Sequence, residues 1–103
     1  MFDVLIKDGT VIDGTGKPGT RTDVGIRGKN IAAVENLSAA SGRYVIDATG
    51  LTVCPGFIDT HCHTEAALLN DPQHACGIRM GVTTEVLGQD GLSYAPLSPE
   101  NYR

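Results

Sequence analysis

The sequence is poor in the features that mark membrane proteins and disulfide-rich secreted proteins. It has no tryptophan, 5% aromatic residues and three cysteines among 103 residues. No apolar run approaches the ~18 residues that a membrane-spanning helix needs, and no basic stretch followed by an apolar one marks a signal peptide. The odd number of cysteines, without a CxxC pair, favours neither a disulfide framework nor a zinc ribbon. We therefore expect a cytoplasmic protein with reduced thiols that does not contact a membrane.

Positive charge is also scarce. Lysine and arginine number 8 against 12 aspartates and glutamates, which gives a net charge of −4. Because phosphate backbones are bound by clustered lysine and arginine, this balance argues against a nucleic-acid partner. The apolar fraction of 41% is that of a globular chain and argues against wholesale disorder.

Residues 1–54 have the composition of a β-rich segment. Short β-branched runs alternate there with glycine, aspartate and threonine, a pattern that predicts a small β-sandwich or open barrel. The dipeptide Asp8-Gly9 predicts a two-residue hairpin between strands at 3–7 and 10–12. Further strands are expected at 23–27 and 31–35, joined by a turn that begins at Gly28.

Residues 55–103 change to an alternation of strand and helix. Phe57–His63 is predicted to be a strand, and Val82–Leu87 a second one, followed by a loop. Asp71 is expected to cap a helix that Pro72 opens and Gly81 terminates. A strand, a helix and a strand within about 30 residues predict a βαβ unit with parallel strands.

Two features indicate that this unit is incomplete. A pair of parallel strands covered by one helix leaves both edges and one face open, which favours self-association into a homo-oligomer. A further helix is predicted to begin at Ser98. A closed βα barrel needs about 250 residues, so the chain is expected to be the front of something longer.

Gly77 lies inside the first predicted helix. A glycine there lowers the stability of the helix by roughly 1 kcal/mol relative to alanine, unless close packing requires it.

The pair His61 and His63 is the sharpest chemical feature. Side chains two apart on a strand share a face, and two neutral imidazoles on one face can bind one divalent metal. Cys62 is expected on the opposite face, packed against the helix. Taken alone, an HxH pair is more often composed of surface or core histidines than of metal ligands. Its position at the carboxyl end of a strand favours the metal, because functional groups of parallel α/β folds lie at that end.

Four stretches together resemble a known family. These are Ile46–Gly50 (IDATG), Val53–His63 (VCPGFIDTHCH), Gly81–Val86 (GVTTEV) and the residues from Gly88 to Pro96. The first two are similar to the entry signature of the amidohydrolase superfamily. The last two resemble the N-acyl-D-amino-acid deacylases, or D-aminoacylases, within that superfamily.

The resemblance implies a fold, a cofactor and an activity. The fold is mixed α/β, with a small β-sandwich segment at 1–54 and the start of an incomplete TIM-type barrel at 55–103. His61 and His63 correspond to the metal pair, and Asp90 replaces a zinc-binding cysteine of the family's Gly-Asn-Cys-Gly motif. The implied cofactor is a divalent metal, zinc, and the implied substrate is a small-molecule amide cleaved at its C–N bond. Two further histidines and an aspartate of the family have no counterpart after Asp90.

The remaining candidate residues favour plainer interpretations. His74 is expected to be a solvated or capping-turn residue rather than a ligand. Cys54 and Cys76 are expected to be small packing residues, because free cysteine is commonly buried. Glu65 and Glu85 are expected to be solvated or on a strand face, since no spacing joins them.

Two hypotheses of different classes therefore stay open. In the first, the chain is the N-terminal part of a metal-dependent amidohydrolase and is inactive alone. In the second, it is a non-catalytic β-rich module, or a truncated remnant, that self-associates.

Overall fold

The computed structural model describes residues 1–93 together with Ser98 and Glu100. The chain divides into two compact units, Met1–Pro55 and Gly56–Arg103. The first contains strands β1 Phe2–Val11, β2 Thr20–Arg27, β3 Asn30–Glu35, β4 Gly42–Asp47 and β5 Thr52–Val53. The second contains β6 Phe57–Asp59, α1 Glu65–Asn70, α2 Ala75–Arg79, β7 Val82–Glu85 and a 3₁₀ turn at Gln89–Gly91. Within the described ranges, no helix is both long and apolar enough to cross a membrane.

The strands of the first unit form one mixed sheet in the order β3-β2-β1-β4, with β5 also paired to β1. Strand β2 runs antiparallel to both β1 and β3, whereas β4 and β5 run parallel to β1. The turn between β2 and β3 lies at Gly28, as the sequence predicts, and its φ of 57° is one that glycine adopts readily. The described residues of this unit belong to a single sheet, so the two-layer sandwich stays a prediction.

The predicted hairpin at Asp8-Gly9 is wrong, because β1 continues through both residues to Val11. A bulge lies here, with Lys7 and Asp8 of β1 opposite the single residue Asp23 of β2. Asp8 has a φ of 61°, and its N–H donates to the Asp23 carboxylate at 2.8 Å. A Cβ on Gly9 would lie 2.6 Å from Cγ2 of Val53. Asp8 therefore lies in a bulge, and Gly9 allows a close contact with the neighbouring strand, so the dipeptide does not form a turn.

The core of the first unit is small. Its buried apolar residues are Phe2, Leu5, Val24 and Ala48, and Leu5 is 1% exposed. Buried beside them is Asp23, 6% exposed, whose carboxylate accepts the N–H groups of Asp8 and Leu37 at 2.8 and 2.7 Å. Both oxygens of this carboxylate are thus satisfied by backbone donors, which allows its burial.

In the second unit, β6 pairs with β7 in parallel, and α1 and α2 lie between them in sequence. The single helix predicted from Asp71 to Gly81 is wrong at its start, because Asp71 ends α1 and its carboxylate accepts the N–H of Ala75 at 3.0 Å. Gly81 follows α2 with a φ of 84°, as expected of a helix-terminating glycine. The helix expected from Ser98 falls largely outside the described residues.

Both strands of this unit are shorter than predicted. The N–H of His61 donates to the Asp59 carboxylate at 3.1 Å, and this local turn takes the chain out of the sheet after Asp59. His61 and His63 therefore lie in the loop that follows β6, not on a strand. Strand β7 ends at Glu85, two residues before the predicted end at Leu87.

Candidate metal centre

Three side chains of the second unit meet at one point. The Nε2 atoms of His61 and His63 lie 3.0 and 3.3 Å from the same oxygen, Oδ2 of Asp90. The two imidazole rings are 5.5 Å apart between centroids and stand at 74° to each other. The three side chains are 58%, 41% and 65% exposed, so solvent reaches the site. All three residues that the sequence singled out are thus brought together.

The sequence argument places His61 and His63 side by side on one strand face, and that reason is wrong, while Asp90 enters the predicted site only through the family resemblance. The histidines lie beyond the end of β6, and Asp90 lies in the 3₁₀ turn beyond β7. Because β6 and β7 are parallel, both loops leave the same edge of the sheet. Adjacent loops, rather than strand alternation, place the three ligand atoms within 4.8 Å of one another.

The loop that carries Asp90 has a demanding backbone. Asp90 has a φ of 55°, and the glycines Gly88 and Gly91 on either side have φ values of 83° and 79°. Glycine takes such angles freely, and aspartate is among the few other residues that tolerate them. A left-handed backbone at a residue other than glycine is a feature that clusters at functional sites.

Hydrogen bonds tie this loop to the one that carries the histidines. The N–H of Gly88 donates to the Glu65 carboxylate at 2.9 Å, and the side-chain amide of Gln89 donates to the Thr60 carbonyl at 3.4 Å. The bond from Gly88 is the main reason that the pKa of Glu65 lies below its usual range. Glu65 opens α1 and is partly covered, rather than solvated or on a strand face, and its carboxylate has a partner that sequence spacing did not reveal.

Cys62, between the two histidines, does not add a nucleophile to this site. Burial raises the pKa of the Cys62 thiol, whose Sγ lies 3.8 Å from the Val86 carbonyl. A thiol with a raised pKa stays protonated at neutral pH and is a poor nucleophile. Cys54 and Cys76 are exposed, so the expectation that they are packing residues is wrong.

The donor set suits a divalent metal. Ligand atoms of a tetrahedral zinc site, with bonds of about 2.0–2.1 Å, lie about 3.3 Å apart. The separations of 3.0 and 3.3 Å match that spacing. Imidazole nitrogen and carboxylate oxygen are both zinc ligands, and the carboxylate shifts the preference toward harder metals relative to a thiolate. In the part of the chain that the structure describes, no other group of three such side chains is gathered.

Two residues for which the sequence allows a solvated position are largely covered, although Glu85 does lie on strand β7, as its other expected position implies. His74 and Glu85 are 15% and 14% exposed, and His74 Nε2 lies 2.6 Å from Glu85 Oε1. His74 occupies the residue before α2, as a capping-turn position implies, but its ring is not solvated. The two are 11 residues apart in sequence, a separation that no helix or strand period connects, so only the tertiary structure reveals the pair.

Comparison with known proteins gives a consistent result. Residues 44–102 match the profile of the Amidohydrolase family. D-aminoacylase of Alcaligenes xylosoxydans xylosoxydans is 47% identical over 100 residues, which are 97% of this chain and 21% of the relative. A solved structure of D-aminoacylase, described for the role of its binuclear metal centre, gives a TM-score of 0.86 at 52% identity, covering 94% of this chain and 20% of that one.

A second solved structure is N-acyl-D-glutamate deacylase from Bordetella bronchiseptica, complexed with zinc and a phosphonate inhibitor. It gives a TM-score of 0.86 at 42% identity and covers 92% of this chain and 20% of that one. The chain thus spans about a fifth of the length of the relatives it matches. The family profile covers more than half of the chain, including the two histidines and Asp90. The chain therefore belongs to the amidohydrolase family.

Proposed function

We propose that the chain is the N-terminal part of a metal-dependent amidohydrolase that cleaves the C–N bond of N-acyl-D-amino acids or similar amides. In this proposal the second unit is the first βαβ unit of a TIM-type barrel, and the first unit is one layer of a small β-sandwich. His61, His63 and Asp90 hold a divalent metal, for which zinc is the first candidate. The D-aminoacylase relatives and the zinc-bound deacylase neighbour support the substrate class and the metal.

The convergence of two imidazole nitrogens on one carboxylate oxygen is the observation that carries this proposal. Neutral imidazoles offer ring lone pairs, and Asp90 supplies a negative charge against a divalent ion. Three protein ligands are the number that catalytic zinc sites use, because a further position stays open for water or substrate. When bound, a divalent metal supplies a water of lowered pKa and polarises an amide carbonyl.

The chain's own residues account for binding the metal but not for the whole reaction. Departure of the amine requires a proton donor near the leaving nitrogen. The family resemblance assigns that role to an aspartate further along the chain than Asp90. We therefore propose that the 103-residue chain is inactive alone.

The experiment is hydrolysis of N-acetyl-D-amino acids by the full-length gene product, with metal analysis of the same sample. Replacing His61 and His63 together by alanine is expected to lower both metal content and rate, the rate by at least about 100-fold, because metal-site residues carry effects of that order. The exposed Asp13→Ala variant in the first unit is the control and is expected to change neither. Undiminished hydrolysis by the double variant would falsify the ligand assignment.

A second candidate function is a non-catalytic module that associates with another copy of itself. The edge strand β4 favours it, because Tyr44, Val45 and Ile46 are 59%, 59% and 49% exposed there. An apolar edge strand is a template for pairing with a second chain. Light scattering of the 103-residue chain is expected to show a dimer or a larger species as concentration rises, and a strict monomer at high concentration contradicts this candidate.

A further inference from the structure

A covered pair of titratable side chains lies in the second unit, apart from the three candidate ligands. His74 Nε2 and Glu85 Oε1 are 2.6 Å apart, with exposures of 15% and 14%. The candidate ligands are 41% to 65% exposed by comparison. A carboxylate that is removed from water to this extent needs partners, because burying an unpaired charge is very costly. Glu85 is therefore held in one position by what it contacts.

The second oxygen of the same carboxylate has a partner next to the metal site. The Thr64 hydroxyl donates to Glu85 Oε2. Thr64 directly follows His63 and is the residue before α1, while Glu85 is the last residue of β7, the strand that leads to Asp90. One carboxylate thus connects the histidine loop, the strand before the Asp90 loop and the start of α2.

The sequence around α2 makes room for this pair. A Cβ on Gly77 would lie 2.3 Å from Nε2 of His74 and 2.4 Å from Cδ2 of the same ring. The imidazole can therefore lie in this place only because residue 77 is glycine. A glycine inside a short helix lowers its intrinsic stability, so the position of the His74 ring accounts for an otherwise unfavourable residue.

We propose that Glu85, itself oriented by His74, is a positioning residue that sets the separation of His63 and Asp90 through its bond to Thr64. The inference rests on the proposed metal site. The pKa of Glu85 lies below its usual range, first because the Thr64 hydroxyl donates to it and also because His74 does, against the opposing effect of burial. The carboxylate is therefore ionised at neutral pH and accepts both hydrogen bonds. Neither Glu85 nor His74 contacts the metal in this arrangement.

The test uses Co²⁺ titration of the 103-residue chain, followed by visible absorption, because the intensity of the d–d bands reports coordination geometry. Thr64→Val removes the hydroxyl and keeps the shape, whereas Thr64→Ser keeps the hydroxyl. We expect Thr64→Val and Glu85→Ala to weaken Co²⁺ binding about tenfold or more and to change the band intensity, as loss of supporting contacts does in metal sites. Thr64→Ser and the exposed control Glu35→Ala are expected to bind as the unmodified chain does.

The outcomes separate this inference from the proposed function. If the unmodified chain binds no Co²⁺, the metal site itself is refuted, and the inference with it. If the unmodified chain binds Co²⁺ and Thr64→Val binds it equally well with the same spectrum, the positioning role is refuted and the metal site stands. A Glu85→Ala chain that fails to fold leaves the decision to Thr64→Val and Thr64→Ser, whose far-ultraviolet circular dichroism is expected to match that of the unmodified chain.

Discussion

At the scale of single residues, Asp90 combines an unusual backbone with an unusual side-chain environment. Its φ of 55° lies in the left-handed region, and its Oδ2 is shared by two imidazoles. The resemblance to deacylases places a cysteine at this position in relatives. Carboxylate oxygen is a harder ligand than thiolate, so in the proposed site this residue is expected to set the metal preference.

Asp90→Cys is expected to raise the affinity for zinc and for Co²⁺ relative to Mn²⁺, because thiolate favours softer metals. The measurement is competitive titration of zinc against Mn²⁺ and of Co²⁺ against Mn²⁺, with Co²⁺ absorption as a second signal. A thiolate ligand is expected to add a near-ultraviolet charge-transfer band that the unmodified chain does not show. Asp90→Asn, which keeps the shape but not the charge, is the matched control. An unchanged preference in Asp90→Cys contradicts the assignment of Asp90 as a ligand.

Asp23 gives a pH prediction for the first unit. The N–H groups of Asp8 and then Leu37 hold the pKa of this carboxyl below its usual range. An unfolded aspartate has a pKa of about 3.9, so the stabilisation is complete above that pH and is lost as pH falls through the lower folded value. Asp23→Ala is expected to lower the free energy of unfolding by about 2–4 kcal/mol at neutral pH, because two partly buried N–H groups lose a charged acceptor.

Urea denaturation followed by circular dichroism measures this effect. The difference in unfolding free energy between the unmodified chain and Asp23→Asn is expected to shrink as pH falls below about 4, because a protonated carboxyl resembles the amide. Glu35→Gln is the control, because it also removes one negative charge but does so at an exposed position. A difference that is constant from neutral to acid pH contradicts the role of the ionised carboxylate.

At the scale of elements, local signals predict some strands and turns correctly and misplace others. The alternating β-branched runs predicted β2 and β3 and the turn at Gly28, because these features depend on neighbouring residues alone. Asp8-Gly9 has the composition of a hairpin turn, yet it forms a bulge, because Asp23 on the adjacent strand captures the Asp8 N–H. A contact with a residue 15 positions away is not encoded in a dipeptide, so the sequence alone could not distinguish the two.

Gly9 provides the test of this interpretation of β1. A Cβ at this position would approach Val53 Cγ2 to 2.6 Å, so Gly9→Ala is expected to lower the free energy of unfolding by about 1–3 kcal/mol, as overpacking does. Val53→Ala removes the clashing methyl groups and is expected to restore most of the loss in the double variant. Thermal or urea denaturation of the four chains gives the coupling between the two sites. If residues 8 and 9 formed an exposed turn instead, Gly9→Ala and Val53→Ala would act independently.

For the candidate site, the sequence predicts which residues are involved but not the geometry that brings them together. The residue types and the family motif identified His61, His63 and Asp90. The geometric reason was incorrect, because Asp59 turns the chain out of the strand before the histidines. His74 and Glu85 gave no periodic signal, and their covered position depends on the packing of α2 with β7. Motifs therefore locate the candidate ligands, whereas the covered pair His74 and Glu85 is revealed only by the structure.

At the scale of the whole molecule, the chain has two units and spans about a fifth of the length of its relatives. The candidate ligands all lie in the second unit, and their convergence depends on two adjacent loops of that unit alone. We therefore expect metal binding to be a property of this chain, whereas catalysis requires residues supplied by a longer one.

Calorimetric titration of the 103-residue chain with zinc tests this central claim most directly. The account predicts one ion per chain, with affinity lowered at least about tenfold by His61→Ala, by His63→Ala and by Asp90→Ala separately. Asp13→Ala is expected to bind as the unmodified chain does. Zinc binding that is equally strong after all three ligands are replaced together, or an absence of binding by the unmodified chain, contradicts the account.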